Sequence, residues 1–196
     1  AGHDEIPLLL KLGVKRFKIE GRLKSPEYVA AVTRVYRKVI DAALAEESDV
    51  ISERDRYELE MTFSRGLHSG WLNGIDNQQL VHGRYGKKRG AFAGTISAVG
   101  KDWVEFEPQI PLKNGDGVVF DIGGDTNREQ GGRIFTSKGN RFTFQRGKID
   151  FRDIEIGDRV WKTDDPKLNS ELRKTWTREK ELKPKTSGLR WQVTGR

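Results

Sequence analysis

From about Gly83 to Thr163 apolar and polar residues alternate, and a glycine interrupts the alternation roughly every 8 to 10 residues. No other feature restricts the fold as much. Successive side chains of a strand point to opposite faces, so alternation of this kind describes strands with one face in a core. Glycine supplies the turns because it adopts positive φ without steric penalty. Val99, Val104, Phe106, Val118, Phe120 and Ile122 fit the buried strand faces. "KGN" reads as the turn of a hairpin between "RIFTS" and "RFTFQ", and "IEIGDRVWKT" as a final strand. Short strands with turns this frequent predict a small β-barrel over residues 83–163. "KNGDGVVF" and "EIGDRVWK" each end a turn in Gly-Asp and feed a strand with valine, and they read as related structural corners rather than a catalytic repeat.

The chain before Gly83 has a different texture. "HDEIPLLLKLGV" predicts a short helix, Asp4 to Leu12, closed by Gly13. "VKRFKIEG" predicts a strand. Ser25, Pro26 and Glu27 then start a long helix: Ser25 caps it, Pro26 suits its first turn, and Glu27 places negative charge at the positive end of the dipole. Val29, Val32, Val35, Tyr36, Val39, Ile40, Ala43 and Leu44 recur at spacings of three and four, so one face should be buried. Ser52 with Asp55 three residues on opens another helix, which runs into the glycine-rich loop "FSRGLHSGWLNG". A last short helix, capped at Asp164 or Asp165, precedes the charged linker "TREKELKPKTSG" and a strand-like "LRWQVTGR".

The expected organisation is therefore α/β plus all-β. Residues 1–45 form the terminal αβα piece of an α/β domain, 46–82 a helix and loop linker, and 83–163 the small β-barrel. Residues 164–196 form a helix, a charged linker and the opening of a further domain. One strand cannot make a sheet, so the chain reads as a fragment of a longer protein.

Composition narrows the chemistry. The absence of cysteine excludes disulfides and thiolate metal sites within these residues. His3, His68 and His82 lack ligand spacing, no run approaches a membrane span, and no signal peptide is visible. The net charge of +7 gathers in Lys11–Lys24, Arg84–Arg89 and the tail beyond Lys162. Charge of this kind suits a polyanion such as nucleic acid, and equally a plain solvated basic surface.

No Gly-rich phosphate loop, Gly-x-Ser-x-Gly or metal-loop spacing occurs. His68 and Ser69 are adjacent, but adjacency is not the geometry of a nucleophile with its base. "RFKIEGRLK" is the better candidate. Alternation puts Lys18 and Glu20 on one strand face and Phe17 and Ile19 on the other. In an α/β barrel the charged pair would point inward, with Gly21, Arg22 and Lys24 at the carboxyl end where such barrels build their sites. The Arg22 fork suits a carboxylate or phosphate. A structural ion pair between Lys18 and Glu20 accounts for the same residues, and the spacing leaves both readings open.

"RFKIEGRLKSPEYVAAVTRVYRKVID", followed by "FSRGLHSGWL" and "HGRYGKKRGAFAGTI", resembles the peptidase U32 family, also called collagenase-like proteases. The likeness covers roughly residues 4 to 100 and is nearest to the longer members. It implies that residues 1–45 are the last portion of a TIM-like barrel, with Lys18, Glu20 and Arg22 as its catalytic residues. It also implies a cytoplasmic protein acting in RNA base hydroxylation, ribosomal RNA first, or alternatively a collagenase-like protease. Some members hold an iron–sulfur cluster through cysteines, which in this protein would lie upstream of the fragment.

RNA, ribosomal or transfer, is the expected partner, with Lys24, Arg65, Arg84, Lys87, Lys88 and Arg89 contacting it. Phe92, Trp103, Phe142 and Phe144 either stack on bases or fill the barrel, and filling is the simpler expectation. A non-enzymatic docking role for the barrel is a third reading.

Overall fold

Ser25 ends an extended segment and starts the longest helix, its hydroxyl accepting the Tyr28 amide at 3.3 Å. The computed structural model describes residues 2–63, 72, 74, 89–123 and 128–177. Its helices are α1 (Ile6–Lys11), α2 (Pro26–Leu44), α3 (Glu53–Phe63) and α4 (Pro166–Arg173). In α3 the cap is reciprocal: Ser52 Oγ accepts from the Asp55 amide at 3.2 Å, and Asp55 Oδ2 accepts from the Ser52 amide at 3.0 Å. Asp165 caps α4 through the Leu168 amide, 2.9 Å away.

The buried stripe of α2 is Ala31, Val32, Val35, Val39 and Ala42. Val29 and Leu44, expected on that face, are 39% and 68% exposed. The stripe follows the contacts of α2 with α3 and α4, and these two residues lie off that line near the helix ends.

The expected strand at "VKRFKIEG" is not formed. Residues 14–21 have no ladder partner among the described residues, and a strand exists only by pairing. The alternation persists nonetheless. Phe17 and Ile19 are half-buried, Ile19 against the Val32, Val35 and Leu59 cluster, while Lys18 and Glu20 face solvent.

The strands are β1 (Ala91–Thr95), β2 (Ala98–Val99), β3 (Trp103–Glu105), β4 (Gly117–Asp121), β5 (Gly131–Lys138), β6 (Arg141–Phe144) and β7 (Arg159–Asp164). Hydrogen bonding joins them in the order β1-β7-β4-β5-β6-β3-β2, antiparallel throughout. This ladder is open, with β1 and β2 at its two ends, yet those two strands are consecutive in the chain. Ile96 bonds to Asp158 beside β7, and the next residue, Ser97, bonds to Glu105 on β3. One stretch of chain thus serves both edges. Inside lie Ala93, Ile96, Val104, Phe106, Val118, Phe120, Ile134, Phe142, Phe144 and Val160.

The two Gly-Asp corners match. Asp116 accepts from the Lys113 amide and Asp158 from the Glu155 amide, each at 2.8 Å. The preceding glycines stand at φ +92 for Gly115 and +98 for Gly157, a region L side chains avoid. The strands that follow, β4 and β7, pair with each other.

A second cluster ties helices to sheet: Ala31 of α2, Met61 of α3, Ala91 of β1 and Leu168 and Leu172 of α4. Burial of such side chains stabilises by about 1.5–3 kcal/mol for each large one. The contacts of α2 with α3 and α4 therefore anchor it without help from a sheet of its own.

Candidate functional site

The segment from Val14 to Lys24 lies between α1 and α2 with its apolar side down and its charges outward. Glu20 Oε1 accepts the Arg22 amide at 2.7 Å, and the Lys24 amide closes a turn on the Gly21 carbonyl at 3.0 Å. Leu23, between them, adopts φ +59 and is 96% exposed. The turn therefore holds Glu20 and Arg22 close together while leaving their charged ends in the open. Lys18 and Glu20 form no ion pair; both are exposed, and the carboxylate is turned to the backbone instead. Lys24 reaches over the Tyr28 ring, 5.9 Å from its centroid.

Of the other expected binding residues, Arg65, Arg84, Lys87 and Lys88 lie outside the described residues, as do His68 and Ser69. Arg89 is not exposed as a residue of an open basic patch would be. It is 5% exposed, donates to both Glu129 oxygens, one at 2.8 Å, and lies 3.9 Å from Asp121. A guanidinium sealed between two carboxylates is structural, because exposing it would leave those carboxylates buried and unpaired. The aromatics divide as packing dictates. Phe142 and Phe144 are core, Phe92 meets Trp161 edge to face at 5.3 Å, and Trp103 is half-buried with Arg141 stacked on it.

A buried ionic group gave no local sequence signal. Lys162, 2% exposed, places its ammonium 2.7 Å from Asp116 and 2.9 Å from Asp165, and donates to the Pro111 carbonyl at 3.2 Å. Asp165 also accepts the Tyr57 hydroxyl at 2.6 Å. Burial pushes the Asp165 carboxyl up, but Tyr57, the Leu168 amide and Lys162 outweigh it and hold the pKa at about 2. Burial and the same carboxylate push the Tyr57 phenol well above its ordinary value. Tyr57, Lys162 and Asp165 line one wall of a cleft of about 400 Å³ between α3, α4 and the 109–113 loop. Two carboxylates and a backbone carbonyl engage the Lys162 side-chain nitrogen, so the contacts read as a structural joint. The group joins the helices to the sheet.

A comparable network joins α2 to α3. Asp55 accepts from Lys38 at 2.6 Å, and Glu58 takes Arg54 at 3.0 Å and also Arg34. Burial raises the Asp55 carboxyl, yet Lys38 and Ser52 together bring it down to about 2.

The chain has no cysteine, and among the described residues no group of three or more His, Asp and Glu could hold a metal ion. These residues therefore do not fit an iron–sulfur cluster, which needs thiolate or imidazole ligands. No helix among the described residues is long and apolar enough to cross a membrane.

Comparison with known proteins gives consistent matches. The chain is 34% identical over 122 residues to "tRNA hydroxylation protein P1" of Bacillus subtilis (strain 168), covering 60% of this chain and 29% of that protein. It is 32% identical over 124 residues to "23S rRNA 5-hydroxycytidine C2501 synthase" of Escherichia coli (strain K12), covering 56% and 18%. It is 36% identical over 83 residues to "Collagenase" of Porphyromonas gingivalis, covering 41% and 22%. The chain thus spans less than a third of the length of these relatives. No solved structure matches the chain significantly. Residues 1–82 match the sequence profile of peptidase family U32.

Proposed function

We propose that this chain is part of an RNA-hydroxylating member of the U32 family, with Glu20 and Arg22 at the site that receives the base. The observation that carries this reading is the exposed Glu20 carboxylate, bonded to the Arg22 amide in a segment that also carries Lys18 and Lys24. Cations so placed attract a phosphate backbone, and a carboxylate accepts from an exocyclic amino group such as that of cytosine. Two relatives named for RNA hydroxylation support the substrate class. The exposed Leu8 of α1 and Leu12 just after it support residues 1–45 as the closing portion of a TIM-like barrel completed by chain outside these residues. The shared edge at Ile96 and Ser97 supports a small closed barrel for the sheet. Any iron–sulfur cluster belongs to cysteines outside this chain, and the chain alone is inactive. Ribosomal RNA is the first candidate substrate and transfer RNA the second.

The test is mass spectrometry of ribosomal and transfer RNA nucleosides from cells lacking the full-length protein. A nucleoside heavier than its parent by one oxygen should disappear, return with the wild-type gene, and stay absent with Glu20→Ala. Restoration by Glu20→Ala would remove Glu20 from the site. An unchanged nucleoside profile would overturn the reading and turn the test to peptide cleavage, which the collagenase relative favours.

A further inference from the structure

The outer face of β3, β6 and β5 carries side chains that the core does not use. Register places Trp103, Thr143 and Thr136 in one cross-strand row and Glu105, Arg141 and Lys138 in the next. The Thr136 and Thr143 hydroxyls are 2.6 Å apart, so these rows share the outward side, while Phe142 and Phe144 point into the core. The pairing of β5 with β6 shifts between Ile134 and Thr136. The inserted residue is Phe135. A bulge re-aims the side chain it carries, and Phe135 is 68% exposed beside the first row.

Arg141 is held in place next to it. Its guanidinium lies 3.8 Å from the Trp103 ring centroid and donates to Glu105 at 3.2 and 3.3 Å. The indole itself packs onto backbone: a Cβ at Gly100 would stand 2.2 Å from Trp103 Cε2, so only glycine fits beneath it. Trp103 therefore serves as a support, and the planar group presented outward is the guanidinium. Lys138 lies at the hairpin end of the strip, and Arg146 and Lys148 lie in the turn after β6; all three are exposed. Among the described residues these three make no ion pair, and the one carboxylate on the rows, Glu105, is taken by Arg141.

We infer that this strip binds a single-stranded segment of RNA, with bases stacked on Phe135 and on the Arg141 guanidinium and phosphates held by Lys138, Arg146 and Lys148. The inference rests on RNA as the substrate class and adds a second contact surface remote in sequence from Glu20. Flat groups between cations suit unpaired bases, whose faces are open, and not a duplex, whose bases are stacked on one another.

The experiment measures binding of a labelled oligouridylate, and of an RNA duplex of equal length, to the full-length protein over a salt series. Phe135→Ala should weaken oligouridylate binding about tenfold, the scale of one lost base stack, and leave duplex binding unchanged. The Lys138→Ala, Arg146→Ala, Lys148→Ala triple variant should reduce the slope of log K against log salt by about 2, near 0.7 for each phosphate contact. All four side chains are exposed, and unchanged thermal melts establish that the variants fold. Equal binding by wild type and both variants would overturn the strip while leaving the RNA reading intact. No binding of either RNA by wild type would overturn both. Self-association lost in Phe135→Ala, with RNA binding unaltered, would assign the strip to a second copy of the chain and overturn the inference.

Discussion

Tyr57, on α3, donates its hydroxyl to Asp165 at the head of α4, 2.6 Å away and 108 residues along the chain. The same carboxylate accepts from the Lys162 ammonium and caps α4. One side chain thus fastens a helix of the U32-matching part to the sheet and to the last described helix. A group with three partners on three elements transmits loss at any one of them to the whole joint.

Replacing Asp165 tests this. Asp165→Ala leaves Lys162 with Asp116 and the Pro111 carbonyl, strands the Tyr57 hydroxyl and uncaps α4. Breaking a buried pair from one side costs about 3–5 kcal/mol, and urea unfolding should show a loss of that size. Asp165→Asn keeps the oxygen that caps Leu168 while removing the charge and the second oxygen, which Tyr57 and Lys162 share, so its loss should be smaller than that of Asp165→Ala. Equal losses would show that the charge, which both variants remove, accounts for the effect and the retained oxygen does not.

Acid titration should expose the same group. Folding holds Asp55 and Asp165 at about 2, below the value of about 3.9 of an unfolded aspartate. A carboxyl depressed by folding stabilises fully above its unfolded pKa, and the stabilisation is lost as pH falls through the folded value. Melting temperature should therefore decline between about pH 4 and pH 2 on account of these groups. Asp165→Asn should flatten that decline; an unchanged acid slope would mean that Asp165 is not held down as described.

The two corners give a matched pair of substitutions. No atom lies within 4 Å of a Cβ built at Gly115 or Gly157, so Gly115→Ala and Gly157→Ala act through backbone strain alone. Each should destabilise by about 1–2 kcal/mol, the scale for an L residue forced to positive φ, with Asn at either position costing less. A neutral Gly157→Ala would show that the corner relaxes.

Local chemistry made much of the chain legible. Ser25-Pro26, Ser52-x-x-Asp55 and Asp165 each start a helix because a cap needs only neighbours within one turn. The Gly139–Asn140 turn and the Gly-Asp corners are local for the same reason, and alternation separated Phe17 and Ile19 from Lys18 and Glu20, though not which pair turns inward. Tertiary structure decided what depends on distant partners. Residues 14–21 alternate like a strand yet lack one to pair with. Arg89 looked like part of a basic patch until Glu129, 40 residues away, enclosed it. Lys162 met Asp116 and Tyr57 only once β4, β7 and α3 were in place, and a register shift between β5 and β6 turned Phe135 outward. Periodicity and caps are properties of neighbouring residues. Ion pairs, bulges and burial are properties of the partners that folding brings together.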